Sequence, residues 1–356
     1  MKKENQGGRT AEFSSISAKR FESFRRQARQ PASYEAVYPV RVHISAVHHG
    51  SLINIIDTNA VLRKRFLQQD ESVRPVDWRP SRRAEREYQR QLRDVARQVR
   101  GVVDDSRLSV LQKQQALRFY SRHLESWALE TSTQMVLTAN RKNMTQFLSQ
   151  FRHAGPNNPK ARQFRAANWF NFSESMGQAL AELMLSPMGA EMAEVIIQNQ
   201  KLITSLPDEA ADMLNERLQK GLVTGLRPEE LAQSLSEVGN ITMIRANTIA
   251  RTEIGKTQSL LTEKRALHAG SEAYFWRTAE DRNVRDSHAE LNGMVIFWSA
   301  PPLVDGQRGH AGTFYNDRCY AEPILVSIDR KDLIEVRPDV YKLRSSSLEP
   351  HYQMAA

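Results

Sequence analysis

Between Ser81 and His268 the apolar residues recur three and four positions apart, and after Gly270 that spacing gives way to short aromatic and β-branched runs. A chain divided in this way is predominantly helical α+β, with a small C-terminal sheet. Ser81 to Gly101 reads as a helix opened by a serine N-cap after Pro80 and closed by glycine, with Tyr88, Leu92, Val95 and Val99 as its apolar stripe. Leu117, Tyr120, Leu124 and Trp127 form a second stripe, before a polar break at Gly155-Pro156-Asn157-Asn158-Pro159. Leu206-Pro207 starts a helix carrying Ala210, Met213, Leu214 and Leu218 to Gly221, and Pro228 opens another, with Leu231, Leu235 and Val238, stopped by Gly239. Two short antiparallel helices fit that spacing. A longer helix, about Ile241 to His268, buries Met243, Ala246, Ala250, Ile254 and Leu261. Strands are expected at Ala273–Thr278, Met294–Trp298 and Ile324–Ile328.

The chain has 356 residues, enough for two domains, and its single cysteine, Cys319, excludes an intrachain disulfide framework and any zinc site of several thiolates. The longest uncharged stretch near the start, Val42 to Ile56, is too short to span a bilayer and holds three histidines, so no membrane partner is expected. The first twenty residues are charged without a following apolar run, which argues against a secretory signal. Residues 1–35 read as a polar, mobile arm with a short helix around Ala18–Arg29, Tyr38–Val47 as a strand, Ile53–Gln68 as a short helix, and Arg74–Pro80 as a linker.

Charge is unevenly placed. Residues 1–100 hold 21 Lys and Arg against 11 Asp and Glu, whereas residues 101–356 hold 29 against 30. The positive excess of the leading end points to an anionic partner there. Arg83, Arg86, Arg90, Arg93, Arg97 and Arg100 recur along one helix face, and guanidinium forks suit phosphate oxygens without reading bases. Double-stranded DNA bound non-specifically, an acidic protein surface and a merely solvated face all fit. Glu87 and Asp94 stand where they can neutralise part of the row.

Other motifs have plain explanations. Gly255-Lys256-Thr257 looks like the end of a phosphate loop, but Ala250 stands where the first glycine belongs and the segment continues a helix. His43, His48 and His49 lack acidic or thiol companions at ligand spacing. His288, His310 and Asn316 echo a His-Asn-His nuclease with helix and strand in the wrong order, and Cys319 with His288 is a conceivable thiolate–imidazole pair, although a lone cysteine is more often core. The richest stretch is Asp281 to His288. Asp281 reads as an N-cap, with Arg285 and His288 on its side of a short helix and Gly293 as the left-handed terminator, a polar face suited to bracing a neighbouring strand.

The series Asn247 to Ile254 (NTIARTEI), Trp276, Asp281-x-x-Val284-Arg285-x-x-His288, Leu291-Asn292-Gly293 and Asn316 to Pro323 (NDRCYAEP) resembles the phage head morphogenesis domain, the phage Mu protein F-like minor head proteins. The likeness covers about residues 170–326 and leaves 1–110 uncovered. It implies a non-catalytic minor capsid component of a tailed bacteriophage, made in the host cytoplasm and carried in the virion. Portal protein and scaffold or coat protein would be its partners in procapsid assembly, with packaged DNA a further one. Asn247, Arg251, Glu253, Trp276, Asp281, Arg285, His288, Gly293 and Cys319 carry the domain motif, as structural or docking residues. The resemblance also implies a candidate zinc set of one histidine and two cysteines. Here Asp317 replaces the first cysteine, and the mixed set His288, Asp317 and Cys319 is expected to hold no metal; no cofactor is expected.

Arg251 and Glu253 point about 200° apart on their helix and cannot pair locally, so a tie to the Asp281–Arg285–His288 turn is expected from one of them. The organisation expected is a basic arm and linker over 1–80, a helical region over 81–160, the head morphogenesis domain over 161–328 and a tail over 329–356. The alternative function is a metal-dependent nuclease or toxin-type enzyme carried on such a domain. The roughly thirty residues after Pro323 look too short for a catalytic module.

Overall fold

A computed structural model describes residues 76–153, 176–325 and 327–345. The expected arm, its strand and helices, the three clustered histidines and the 155–159 break lie outside these residues. The described chain divides into two compact units, one drawn from Ser81–Ala139 and the stretch up to Ile254, the other from the residues up to Pro80, 140–153 and Gly255 onward.

The first unit is helical. Helix α1, Arg82–Asp104, is capped by Ser81, whose hydroxyl accepts from the Ala84 amide at 3.2 Å. Its apolar stripe is buried as expected, with Tyr88, Leu92, Val95 and Val99 at most 2% exposed. Gly101 does not end it; the helix runs one turn further to Asp104. Helix α2, Val110–His123, opens with a full capping box of Ser109 and Gln112 and is followed by α3, Glu125–His153. The break at Leu124 splits the expected Leu117–Trp127 stripe, so Leu117 is buried while Trp127 is 36% exposed. Helix α4, Met176–Leu185, precedes α5, Gly189–Thr224, and α6, Pro228–His268.

The last two correct the sequence reading. In place of short helices starting at Pro207 and stopping at Gly239, both run on through those residues. Pro207 is buried, and the Ser121 hydroxyl of α2 donates to the Thr204 carbonyl and to the Asp208 carboxylate, both at 2.8 Å, bracing the turn that proline weakens. Gly239 is a contact rather than a stop: a Cβ there would meet Arg100 Cγ at 2.9 Å. Arg217 with Glu237 (2.9 Å) and Arg245 with Glu209 (2.5 Å) pair α5 with α6 as an antiparallel hairpin. The unit's core holds Val99, Val103, Leu117, Ala210, Ala211, Leu214 and Val238.

The second unit carries the sheet. Strands β1 (Ala273–Arg277), β2 (Val295–Phe297), β5 (Tyr320–Ile324), β6 (Leu333–Arg337) and β7 (Val340–Leu343) form an antiparallel sheet of order β5-β1-β2-β7-β6. A separate two-stranded hairpin is made by β3 (Leu303–Val304) and β4 (Gln307–Arg308). The first two expected strands are present. The third begins earlier than expected, at Tyr320, because Tyr320–Ile324 is the segment in register with β1, pairing Tyr274 with Pro323 and Trp276 with Ala321. Strands β6 and β7 had no counterpart in the sequence reading. Ala273, Phe275, Val295, Phe297, Ile324, Leu333 and Leu343 form the sheet's core.

Candidate functional site

The motif residues fall into two groups. On the helical side, Asn247 accepts from Arg93 Nε at 2.6 Å, Arg251 pairs with Glu85 at 3.3 Å, and Glu253 accepts from the Asn199 amide at 3.3 Å. Asn199 in turn accepts from the Tyr88 hydroxyl at 2.9 Å. Arg251 and Glu253 thus look outward, as their divergent directions require, and within the helical unit each has a partner, on α1 and α5 respectively. Burial pushes the Tyr88 hydroxyl pKa up, and the Glu253 carboxylate adds to it.

All six arginines of the row are exposed on α1. Arg90 pairs with Glu87 (2.6 Å), Arg97 with Asp94, and Arg100 with Asp104 (3.2 Å), so half the row is paired within its own helix. Arg86 Nε donates to the Arg82 carbonyl at 3.2 Å, Arg93 holds Asn247, and Arg83 makes no ion pair among the described residues.

The sheet-side group gathers where the connection after β1 meets the loop before β5. The turn differs from expectation, since helix α7 is only Asp286–Ala289 and Arg285 stands at its N-cap position. Asp281 instead makes an Asx turn to the Asn283 amide (3.0 Å), and its carboxylate takes both terminal nitrogens of Arg318. That bidentate pair outcompetes a helix cap. Gly293 has the expected positive φ of 79°, and its amide donates to the Trp276 carbonyl at 2.8 Å.

His288 is 1% exposed, with the edges of Trp276 and Phe314 against its ring at 5.7 and 5.1 Å between centroids. Its Nδ1 faces Cys319 Sγ and Asp317 Oδ1, each at 3.4 Å, and its Nε2 faces Arg285 Nη1 at 3.3 Å and Asp305 Oδ2 at 3.5 Å. Arg285 also donates to the Tyr315 carbonyl at 2.7 Å. Asp317 accepts the Cys319 amide on Oδ1 (2.9 Å) and the Gly312 amide on Oδ2 (3.0 Å). A small recess of about 60 Å³ lined by Asn283, Arg285, His288, Asn316 and Arg318 opens beside the cluster.

Burial pushes the Cys319 thiol up, and the neighbouring Asp317 carboxylate pushes it further. Burial opposes ionisation of Asp317 too, yet hydrogen bonds from His288 and Cys319 outweigh it and hold the carboxyl below its ordinary range. The thiolate–imidazole pair considered from sequence is therefore brought together in space but not activated: the thiol keeps its proton, and the same imidazole nitrogen faces both thiol and carboxylate, leaving no relay between them. The short helix precedes β2, and His310 packs instead against Tyr274 and Trp298, which leaves the nuclease likeness without its ββα element. Gly255 of the Gly-Lys-Thr run lies inside α6, where a Cβ would meet the Gly312 carbonyl at 3.0 Å; close backbone approach explains that glycine without a phosphate.

Sequence reasoning missed Asp305, Gly312 and Arg318. Asp305-Gly306 is a two-residue turn signal between Val304 and Gln307, with φ of 51° and 78°, and would have placed a hairpin there. Nothing local announces that its tip reaches His288.

Among the described residues no helix is long and apolar enough to cross a membrane. No solved structure matches the chain. A protein of Haemophilus influenzae, described as uncharacterized, is 32% identical over 127 residues, which is 36% of this chain and 28% of that protein's length. Residues 212–322, from within α5 to within β5, match the family model described as phage Mu protein F like protein, the family that the series from Asn247 to Pro323 resembles.

Proposed function

We propose that the chain is a minor head protein of a tailed bacteriophage, acting by binding during procapsid assembly at the portal vertex, with the arginine face of α1 meeting packaged DNA. The observation that carries the head role is the Mu F-like match over 212–322. Two features favour binding over bond-making. The one cysteine is a buried thiol held in its protonated form, and the carboxylate beside it is engaged by backbone amides. Exposed guanidinium groups one to two turns apart suit a phosphate backbone.

The test is the purified full chain mixed with the portal protein of the same phage, followed by DNA binding across a salt series. Co-sedimentation with portal rings is expected. If the row meets about six phosphates, log affinity for duplex DNA falls with log salt at a slope of about −5. A flat salt dependence removes the DNA part, and absence of portal binding together with normal head assembly lacking this chain removes the head part. Hydrolysis of DNA in divalent metal, lost in His288→Ala, would favour the nuclease alternative.

A further inference from the structure

The set His288, Asp317 and Cys319 brings its three ligand atoms within 4.8 Å of one another. Spacing alone admits a metal, with bonds of about 2.0–2.3 Å. The donor set decides otherwise. Nε2 of His288 faces Arg285 and Asp305 and its Nδ1 faces Asp317 and Cys319, so the imidazole has partners on both sides without an ion. A hard carboxylate, a soft sulfur and one imidazole are a mixed set of three, short of the four ligands of a closed structural zinc site.

The hydrogen bonds of Asp317 agree. A carboxylate offers about four lone-pair sites. Asp317 accepts the Gly312 amide at 3.0 Å and the Cys319 amide at 2.9 Å, and His288 Nδ1 lies 3.4 Å from its Oδ1. We propose that in this chain Asp317 does the work of a metal ion: its carboxylate, held by two backbone amides and facing His288, draws the 312–319 loop, Cys319 and His288 into a metal-free clasp that joins α7 to the entry of β5. A cysteine at 317 would reverse this. Sulfur is a weak acceptor for those amides but a strong zinc ligand once deprotonated, so the same three positions would then favour the ion.

Zinc chloride is titrated calorimetrically into the full chain and into Asp317→Cys, and the melting temperature of each is read with zinc and with excess EDTA. The native chain is expected to bind no zinc at micromolar concentration and to melt at the same temperature in either condition. Asp317→Cys is expected to bind one equivalent and to melt at least about 5 °C higher with zinc than with EDTA. A variant that folds only when zinc is present reads the same way. Stoichiometric zinc on the native chain, lost in His288→Ala, overturns the proposal, as does Asp317→Cys that folds as well as the native chain and takes up no zinc. Neither result bears on portal or DNA binding, so the clasp and the head-protein reading fail separately.

Discussion

The helical unit and the sheet-bearing unit use polar residues in opposite ways. In the first, several long-range polar ties are ion pairs whose side chains keep contact with solvent: Arg118 with Asp208 and Asp212, Arg245 with Glu209, Arg217 with Glu237. In the second, polar groups are taken out of water. Arg265 is fully buried against the carbonyl oxygens of Asn140 and Asn143, Asn143 donates to Thr262 at 2.7 Å, and His288 and Asp317 are 1% and 7% exposed. Burial alone pulls the Arg265 pKa down to about 9. Exposed pairs contribute little each and can be rearranged, whereas a buried donor left without its acceptor costs its full desolvation. The first unit therefore has a surface free to change partners, and the second has a geometry that resists change.

The sharpest test of that contrast is Asp317→Ala, which strands the buried Gly312 and Cys319 amides and removes the carboxylate that His288 faces. A loss of about 3–5 kcal/mol is expected in urea denaturation. A loss below about 1 kcal/mol would make the cluster no more consequential than a surface pair.

Next comes pH. His310 accepts or donates at Nδ1 with the Tyr274 hydroxyl (3.1 Å) and packs against the Trp298 ring, and burial lowers its pKa to about 4. The unfolded chain takes up this proton near pH 6.5 and the folded chain only near 4, so between those values the unfolded state binds more protons and acid destabilises the fold. The loss is on the order of 2–3 kcal/mol across that window. His310→Gln should flatten the dependence of melting temperature on pH from 6.5 to 4. Asp317, with its carboxyl held low, contributes stability that disappears only below about pH 4, as the medium falls through its folded pKa.

A smaller effect belongs to the buried tie of the helical unit. Tyr88→Phe removes the hydroxyl that Asn199 accepts while keeping the ring, and about 1–2 kcal/mol should be lost. A value near zero would mean that the chain Tyr88–Asn199–Glu253 satisfies itself without the phenol.

How much of this was legible depended on range. Local rules found the Ser81 cap, the α1 stripe, the first two strands and the left-handed Gly293, because each is fixed by neighbours within four residues. Pro207 and Gly239 misled because their usual meaning as breakers is overridden by partners distant in sequence, Ser121 for one and Arg100 for the other. Strands β6 and β7 were missed because Leu333–Arg337 exposes Ile334, Glu335 and Val336 and so lacks clean alternation. At the site, the residue types were visible as a family series, but the partners were not: Asp281 turns to Arg318, His288 to Asp305, and Asp317 to Gly312, each choice made by loop closure and not by spacing along an element.

The smallest expected change in stability accompanies a change in binding. Glu87 and Asp94 lie on the exposed face of α1 and each holds one arginine, Arg90 and Arg97. Glu87→Gln with Asp94→Asn should alter stability by less than about 1 kcal/mol, since exposed i,i+3 pairs contribute about 0.3–0.5 kcal/mol each. The same double variant frees two guanidinium groups for phosphate, so the proposed DNA contact should tighten at low salt. Its log–log salt slope should steepen by up to about two, because each arginine already turned to phosphate in the native chain gains nothing. An unchanged affinity and slope would show that this face is not what meets DNA, and would leave the arginine row as a solvated surface whose charges are balanced within their own helix.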